Sequence, residues 1–139
     1  MSADLIAAAI AAMSKAYAPY SGFRVGAAVR GASGAVYAGC NVENAAYPQG
    51  CCAEASAISA LVMAGETRIT EAAVAGAGDQ LVTPCGGCRQ RLREFAGEEV
   101  AVHLCGPGGL RQTMTLGALL PLSFGPDHLD PASNPGAAP

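Results

Sequence analysis

Apolar residues recur along the chain with two periods, one typical of helices and the other of strands. Helical spacing predicts an amphipathic helix over residues 2–17, which Ser2 can cap and Pro19 ends. A hairpin follows, with predicted strands over residues 23–30 and 35–41 around a Gly-Ala-Ser-Gly turn. Three more strands are predicted at 69–78, 99–105 and 110–115, and three more helices at 52–64, 85–96 and 115–120.

This order of strands and helices predicts a three-layer α/β/α fold, in which helices cover both faces of a mixed sheet of about five strands. Continuously apolar residues at 72–75 predict that one strand is buried on both faces. The 139 residues suffice for one domain. We expect the catalytic domain to span residues 1–129. Residues 130–139 hold three prolines among small residues, a composition that cannot bury a core and predicts a disordered tail.

Composition narrows the class of protein. The net charge is −3, which disfavours a nucleic-acid surface, and the clustered Arg89, Arg91 and Arg93 are interpreted as a solvated helix face. No apolar run of about 18 residues predicts a membrane span, and no basic leader precedes the first apolar run. Six cysteines without an export signal are expected to be reduced, which places the chain in the cytoplasm.

Candidate chemistry concentrates in two segments, TPCGGCRQ at 83–90 and YPQGCCAE at 47–54, each of which runs into a predicted helix. Cys52, Cys85 and Cys88 offer three thiolates, and a catalytic zinc site takes three protein ligands and leaves the fourth position for water. Helix N-termini lower a thiol pKa, and metal ligation needs the thiolate. Glu54 is predicted to move protons on and off that water.

Other interpretations of these cysteines exist. A Cys-x-x-Cys pair can form a redox disulfide or half of a structural zinc site, in which Cys40, Cys51 or Cys105 would be the fourth ligand. Cys51 precedes Cys52 directly, but the spacing to Glu54 favours Cys52 as the ligand. The isolated His103, in a strand expected to have apolar partners, is not taken as a ligand.

Asn41 and Glu43 follow the second predicted strand and fall on the same side of it. An amide and a carboxylate placed in this way can hold paired hydroxyl groups, although turn chemistry explains an asparagine at a strand end equally well. Spacing alone makes Phe23 a core residue.

A cysteine two residues before a glutamate, followed later by Pro-Cys-x-x-Cys, is typical of zinc-dependent nucleobase deaminases. From about residue 16 to 129 the chain resembles the small, three-cysteine cytidine deaminases. The matching motifs are YAPYSGF at 17–23, VGAA at 25–28, GCNVENAAY at 39–47, CAE at 52–54, PCGGCRQ at 84–90 and LLPLSF at 119–124. Several motifs in the right order are more specific than any one of them.

The resemblance implies hydrolytic deamination of cytidine and 2′-deoxycytidine in pyrimidine salvage, with one zinc ion per subunit. It also implies a homotetramer in which neighbouring subunits complete each site. Phe23 would pack on the nucleoside and Ala53 would fix the base edge through its backbone. Asn41 and Glu43 would hold the ribose, with Glu43 on the 3′-hydroxyl. Two residues are assigned to a neighbour's site, Tyr47 and Phe124.

One position departs from the family. Many three-cysteine members have an arginine directly after the catalytic glutamate, where it donates to the zinc thiolates, whereas this chain has Ala55. We therefore expect zinc to bind and another donor to approach the sulfurs. Three rival functions remain: deamination of another amino-heterocycle such as a nucleoside antibiotic or a purine, a non-catalytic zinc-stabilised binding module with four protein ligands, and editing of RNA or DNA.

Overall fold

The computed structural model describes residues 2–130 and has four α-helices, five strands and two short 3-10 turns in that range. The helices span Ser2–Met13 (α1), Ala53–Met63 (α2), Gly86–Phe95 (α3) and Leu116–Leu119 (α4). The strands span Val25–Gly31 (β1), Val36–Cys40 (β2), Ile69–Gly76 (β3), Ala101–Gly106 (β4) and Gly109–Thr115 (β5). The disordered tail is predicted at 130–139, and all of it except Asp130 lies outside the described residues.

The five strands form one mixed sheet in the order β2-β1-β3-β4-β5. β3 and β4 run parallel, and the other neighbouring strands pair antiparallel. Val25, at the start of β1, lies opposite Gly76, at the end of β3. β1 therefore begins at the edge of the sheet where β2 and β3 end, and the candidate site lies at this edge.

Helices cover both faces of the sheet, which confirms the predicted three-layer architecture. On one face, α1 packs Leu5, Ala9 and Met13 against Ala73 and Ala75 of β3. On the other face, α2 and α3 cover a larger core of residues that includes Ala57, Leu61, Leu92, Ala72, Val74 and Leu104. Alternate residues of β3 thus point to opposite cores, and the prediction that residues 72–75 are buried on both faces is confirmed.

Two glycines let the helices approach the sheet closely. A side-chain carbon at Gly26 would lie 2.0 Å from the carbonyl oxygen of Ala9 in α1. One at Gly39 would lie 2.4 Å from the Ser56 side chain in α2. The backbone approach that glycine permits therefore brings α2, with Cys52 at its start, directly against β2.

The first helix differs from its predicted form at both ends. It ends at Met13 rather than at residue 17, because the Tyr17 N–H leaves the helix and donates to the Asn41 carbonyl, 3.0 Å away. Ser2 was predicted to cap the helix, but its hydroxyl donates instead to the Glu71 carboxylate at 2.6 Å. Across residues 2–130, no helix is both long and apolar enough to cross a membrane.

Candidate metal centre and active site

The three predicted cysteine ligands meet between the N-termini of α2 and α3. Cys52 and Cys85 are the N-cap residues of α2 and α3, and Cys88 lies in the first turn of α3. Their sulfur atoms all lie within 4.8 Å of one another. Zinc–sulfur bonds of about 2.3 Å in tetrahedral geometry place sulfurs about 3.8 Å apart, so this trio fits a zinc ion. Within residues 2–130, no further histidine, cysteine or carboxylate atom joins the group.

The three thiols have different environments. Burial raises the pKa of Cys52 and of the fully buried Cys88. The pKa of Cys85 is lowered, chiefly because the Cys88 backbone N–H donates to its sulfur. The first turn of α3 therefore favours the thiolate form of Cys85, whereas burial disfavours it at the other two sulfurs, which a bound cation or further donors would offset.

Glu54 is buried beside the cysteines, with only 5% of its surface exposed. Burial raises the pKa of its carboxyl, and its own backbone N–H, Cys88 and the charge of Arg91 offset part of this effect. A carboxyl with a raised pKa is suited to accept and return a proton near neutral pH. The position two residues after Cys52 lets Glu54 lie next to the sulfurs without joining their ligand group.

One cavity of about 200 Å³ connects the cysteine trio with several predicted substrate contacts. Two of the three cysteines and Glu54 line this cavity together with predicted substrate contacts and apolar residues: Cys52, Cys85, Glu54, Phe23, Asn41, Ala53, Val25, Val74, Val82 and Thr83. Both functional groups of the Asn41 side chain contact the backbone of the segment that enters β1: its oxygen accepts from the Val25 N–H and its nitrogen donates to the Phe23 carbonyl, both at 2.9 Å. Asn41 therefore fixes the position of Phe23 at the cavity wall.

Glu43 and Tyr47 lie in a separate depression of about 360 Å³, lined also by Tyr20 and Ser21. The Glu43 carboxylate accepts hydrogen bonds from the Tyr20 and Ser21 N–H groups, at 2.9 and 3.0 Å, and from the Ser21 hydroxyl. These bonds, with that from the hydroxyl the strongest, lower the pKa of Glu43. The Tyr47 side chain is mostly exposed and its ring tilts against the Tyr20 ring.

Phe124 does not line the cysteine cavity of its own chain. It lies in a loop held on α3, where Gln90 donates to the Phe124 carbonyl at 2.8 Å and Arg93 contacts Ser123 and Asp127. The Phe124 ring is more than half exposed and stacks on His128 with 5.1 Å between ring centroids.

The remaining cysteines stand apart from the trio. All six cysteines are free thiols, and Cys105 is buried in the core beneath α1, on the opposite face of the sheet. The Cys51 sulfur contacts the Ser56 hydroxyl at 3.7 Å. His103, which was not taken as a ligand, is a satisfied histidine: its ring nitrogens contact Glu71 at 2.5 Å and Thr113 at 2.8 Å.

Comparison with known proteins gives a consistent result. A family model described as the cytidine and deoxycytidylate deaminase zinc-binding region matches residues 2–104. The chain belongs to this family. A cytidine deaminase from Sporosarcina psychrophila is 39% identical over 129 residues, 93% of this chain and 95% of the relative. One from Mycobacterium tuberculosis is 42% identical over 115 residues, 82% of each chain.

Solved cytidine deaminases share the fold. The crystal structure of the Burkholderia pseudomallei cytidine deaminase has a TM-score of 0.82 with this chain at 42% identity, and covers 89% of this chain and 99% of that one. The prediction of a cytidine-deaminase-like fold is therefore confirmed.

The helix that carries Cys88 departs from the sequence-based interpretation. The three arginines of α3 do not form a solvated face, because each contacts a neighbouring group. Arg89 donates to the Pro84 and Leu119 carbonyls at 2.8 and 2.6 Å and to the Thr83 hydroxyl, and thereby holds the loop that forms one wall of the cavity. The sequence carries no local signal for the Arg89–Leu119 contact, which joins residues 30 positions apart.

The donor expected in place of the family's arginine is present. Arg91 Nη1 donates to Cys88 Sγ at 3.8 Å. This contact confirms the expectation that some donor would approach a sulfur of the trio.

Proposed function

We propose that the chain catalyses the zinc-dependent hydrolytic deamination of cytidine and 2′-deoxycytidine, which yields uridine and 2′-deoxyuridine with release of ammonia. The observation that carries this proposal is the buried Glu54 carboxyl, which opens into the same cavity as two of the three clustered sulfurs. A cluster of thiols alone is compatible with a structural metal. A protonatable carboxyl inside the same cavity favours catalysis.

Cys52, Cys85 and Cys88 would hold one zinc ion per subunit, and their number leaves one coordination position for the reaction. When bound, zinc supplies the Lewis acidity that makes a water molecule nucleophilic near neutral pH. The two helix N-termini add positive potential at the same point, because their unpaired N–H groups face the sulfurs.

Glu54 would move the protons of the reaction. Its carboxylate accepts a proton from the attacking water as the new C4–O bond of the pyrimidine forms. The protonated carboxyl then delivers that proton to N3. Glu54 next carries the proton of the new C4 hydroxyl to the exocyclic nitrogen, so that the C4–N bond breaks, ammonia leaves with its electron pair and C4 becomes a carbonyl. Burial beside Ala53 and the sulfurs keeps bulk water away, so that the proton goes to the base.

Hydrogen-bonding capacity supports the proposed ribose contacts. Asn41 uses one N–H and one acceptor position on the backbone, and one of each remains. Glu43 accepts three hydrogen bonds, and a carboxylate offers about four acceptor positions. One position is therefore left for a hydroxyl donor such as the ribose 3′-OH. The negative charge of Glu43 would repel a phosphate, which favours nucleosides over deoxycytidylate.

Tyr47 and Phe124 are proposed to complete the site of a neighbouring subunit in a homotetramer. Both rings are mostly exposed, and neither lines the cysteine cavity of its own chain. The loop that carries the Phe124 ring is held by Gln90, which donates to the Phe124 carbonyl, and by Arg93, which contacts the Ser123 and Asp127 side chains. A large aromatic ring held in this way yet left in solvent indicates a surface that a second copy covers. Six free thiols fit the reducing cytoplasm, where the reaction would serve pyrimidine salvage.

The test is ammonia release measured with a panel of substrates. We expect turnover of cytidine and 2′-deoxycytidine, little of deoxycytidylate or cytosine, and none of guanine, with all activity lost to a zinc chelator and restored by added zinc. Preferred turnover of guanine or of a nucleoside antibiotic would favour the rival amino-heterocycle deaminase. No turnover of any amino-heterocycle by zinc-loaded protein would favour the binding module.

A further inference from the structure

A three-thiolate centre has an unfavourable charge. Three thiolates and one Zn²⁺ carry a net charge of −1, and the buried Glu54 adds another negative group beside them. In this chain the residue after Glu54 is Ala55, which can donate no hydrogen bond from its side chain. Some other group must supply positive charge to the sulfurs.

Arg91 is placed to supply it. It follows Cys88 by three residues, so both side chains project from the same face of α3. Helical side chains lean toward the N-terminus of their helix, which carries the guanidinium back to the Cys88 sulfur, where Nη1 donates at 3.8 Å. Gly87 leaves room for this arrangement, since a side-chain carbon there would lie 3.1 Å from the same nitrogen.

Ala55 and Arg91 lie on the same groove. It has a volume of about 430 Å³ and runs between α2 and α3. An arginine at position 55 would extend into the groove that Arg91 already lines. A donor to the sulfurs can therefore come from either helix, and in this chain the residue on α2 is small and the arginine is on α3.

The other arginines of α3 are occupied elsewhere. Arg89 binds two carbonyl groups and Thr83, and Arg93 forms an ion pair with Asp127 at 2.7 Å. In the described part of the chain, no carboxylate within 4.0 Å forms an ion pair with Arg91. The Cys88 sulfur is thus the partner that holds the Arg91 side chain.

We infer that Arg91 is a positioning residue that donates to the Cys88 thiolate and offsets the charge of the zinc centre, in the place of an arginine after Glu54. In this chain the donor lies in the second turn of α3, and the first turn of α2 has none at position 55. This inference rests on the proposed zinc site. Its consequence is that zinc affinity and the rate of the chemical step both depend on a residue that touches neither the substrate nor the metal.

The test measures zinc affinity by competition with a chromophoric chelator at fixed pH, together with the thiolate-to-metal charge-transfer band of the cobalt-substituted protein. Arg91→Leu is expected to weaken zinc binding about 10–100-fold, to shift that band, and to lower kcat with little change in KM. Arg91→Lys keeps the charge without the planar fork and should lose less. Placing arginine at the other helix, in the double variant Ala55→Arg/Arg91→Leu, should restore most of the affinity.

The matched control is Arg68→Leu, which changes the net charge by the same amount at an exposed site between α2 and β3. It should leave affinity and the cobalt band unchanged. Wild-type affinity and an unshifted band in Arg91→Leu would overturn the inference, as would an equal loss in Arg68→Leu. Failure of the double variant to recover affinity, while circular dichroism shows it folded, would also overturn it. A wild-type protein that binds zinc but releases no ammonia from cytidine contradicts the proposed function alone, because affinity is measured without substrate.

Discussion

Each face of the sheet covers a carboxylate, Glu54 fully and Glu71 in part, and the two have opposite kinds of partners. Glu71, on the α1 side, is paired with the Ser2 hydroxyl, with Arg30 at 3.3 Å and with His103 at 2.5 Å. Glu54, on the α2 side, forms no ion pair within residues 2–130, and its carboxyl is stabilised by its own backbone N–H, by Cys88 and by the charge of Arg91. Glu71 is held by ion-pair and hydrogen-bond partners of its own chain, whereas Glu54 keeps its capacity for a reaction.

The difference in pairing sets the two pKa values in opposite directions. Burial opposes ionisation of Glu71, but the hydrogen bonds from Ser2, His103 and Arg30 outweigh it, and its pKa is lowered. Burial dominates at Glu54, and its pKa is raised. Burial alone therefore does not mark a catalytic acid. A catalytic acid is indicated instead by a buried carboxyl that has no cationic partner and is open to a cavity.

The largest expected effect comes from removing the charge of the reactive carboxylate. Glu54→Gln is expected to lower kcat for cytidine by a factor of at least about 10²–10⁴, since an amide cannot carry the proton between water and base. The measurement is the loss of cytidine absorbance, with zinc content determined on the same samples. Zinc content should stay at the wild-type value because Glu54 is not a ligand.

Glu71→Gln is the matched control, since it makes the same change of carboxylate to amide on the opposite face. Its kcat should equal that of the wild type. If Glu54→Gln turned over at the wild-type rate, or if both variants slowed equally, the distinction between the two carboxylates would be lost.

The next largest effect is expected from removing one of the three proposed zinc ligands beside Glu54. Cys52→Ser is expected to weaken zinc binding by more than about 100-fold, because it removes one of three thiolates, whereas the loss of an outer partner costs about 10–100-fold. Cys51→Ser, one residue away, should bind zinc normally, since the Cys51 sulfur contacts Ser56 rather than the trio. Chelator competition measures both variants. The reverse result would shift the ligand by one residue.

The site around Glu54 could be predicted from the sequence more easily than the cluster around Glu71. The cysteine trio and Glu54 lie in two short segments, and turn signals with helical starts place them at two helix N-termini. The Glu71 cluster joins residues 32 to 69 positions apart, and only the tertiary fold brings them together. Ser2 shows the cost of local reasoning: a serine at a helix start is a good cap, but a distant carboxylate was the stronger partner.

Side-chain contacts within one helix can also be predicted from the sequence. Arg91 lies one turn after Cys88, and this spacing alone places the two side chains on one face. The interpretation of the α3 arginines as a solvated face considered only the charges on the helix. It did not consider the spacing between the arginines and the cysteines. By contrast, the sequence did not predict that Asn41 and Glu43 line two different cavities. Glu43 is held by N–H groups of the turn at 19–22. The alternation of side chains along a strand gives no information about contacts with that turn.

A smaller effect is expected on stability at Glu71, the carboxylate that is paired with Arg30 and His103. Glu71→Gln should lower the free energy of unfolding by about 1–3 kcal/mol, because it weakens bonds to Arg30 and His103 that are largely buried. Urea unfolding of the zinc-loaded protein at pH 7 measures this, and Glu54→Gln serves as the comparison. A loss of stability in Glu54→Gln as large as that in Glu71→Gln would contradict the view that Glu54 is not used for structure.

The smallest effect is the dependence of that stability difference on pH. The pKa of Glu71 lies below its ordinary value of 4.5 in the folded protein, so the unfolded chain binds its proton first as the solution is acidified. The stabilisation by Glu71 is therefore complete above pH 4.5 and declines as the pH falls toward the folded-state pKa. The difference in unfolding free energy between the wild type and Glu71→Gln should be constant from about pH 7 to 5 and shrink below that. Acid also releases zinc, but it does so from both proteins, and the difference between them isolates Glu71. A difference in unfolding free energy that grew on acidification would mean that the pKa of Glu71 is raised, as that of Glu54 is. The contrast between the two carboxylates would then be lost.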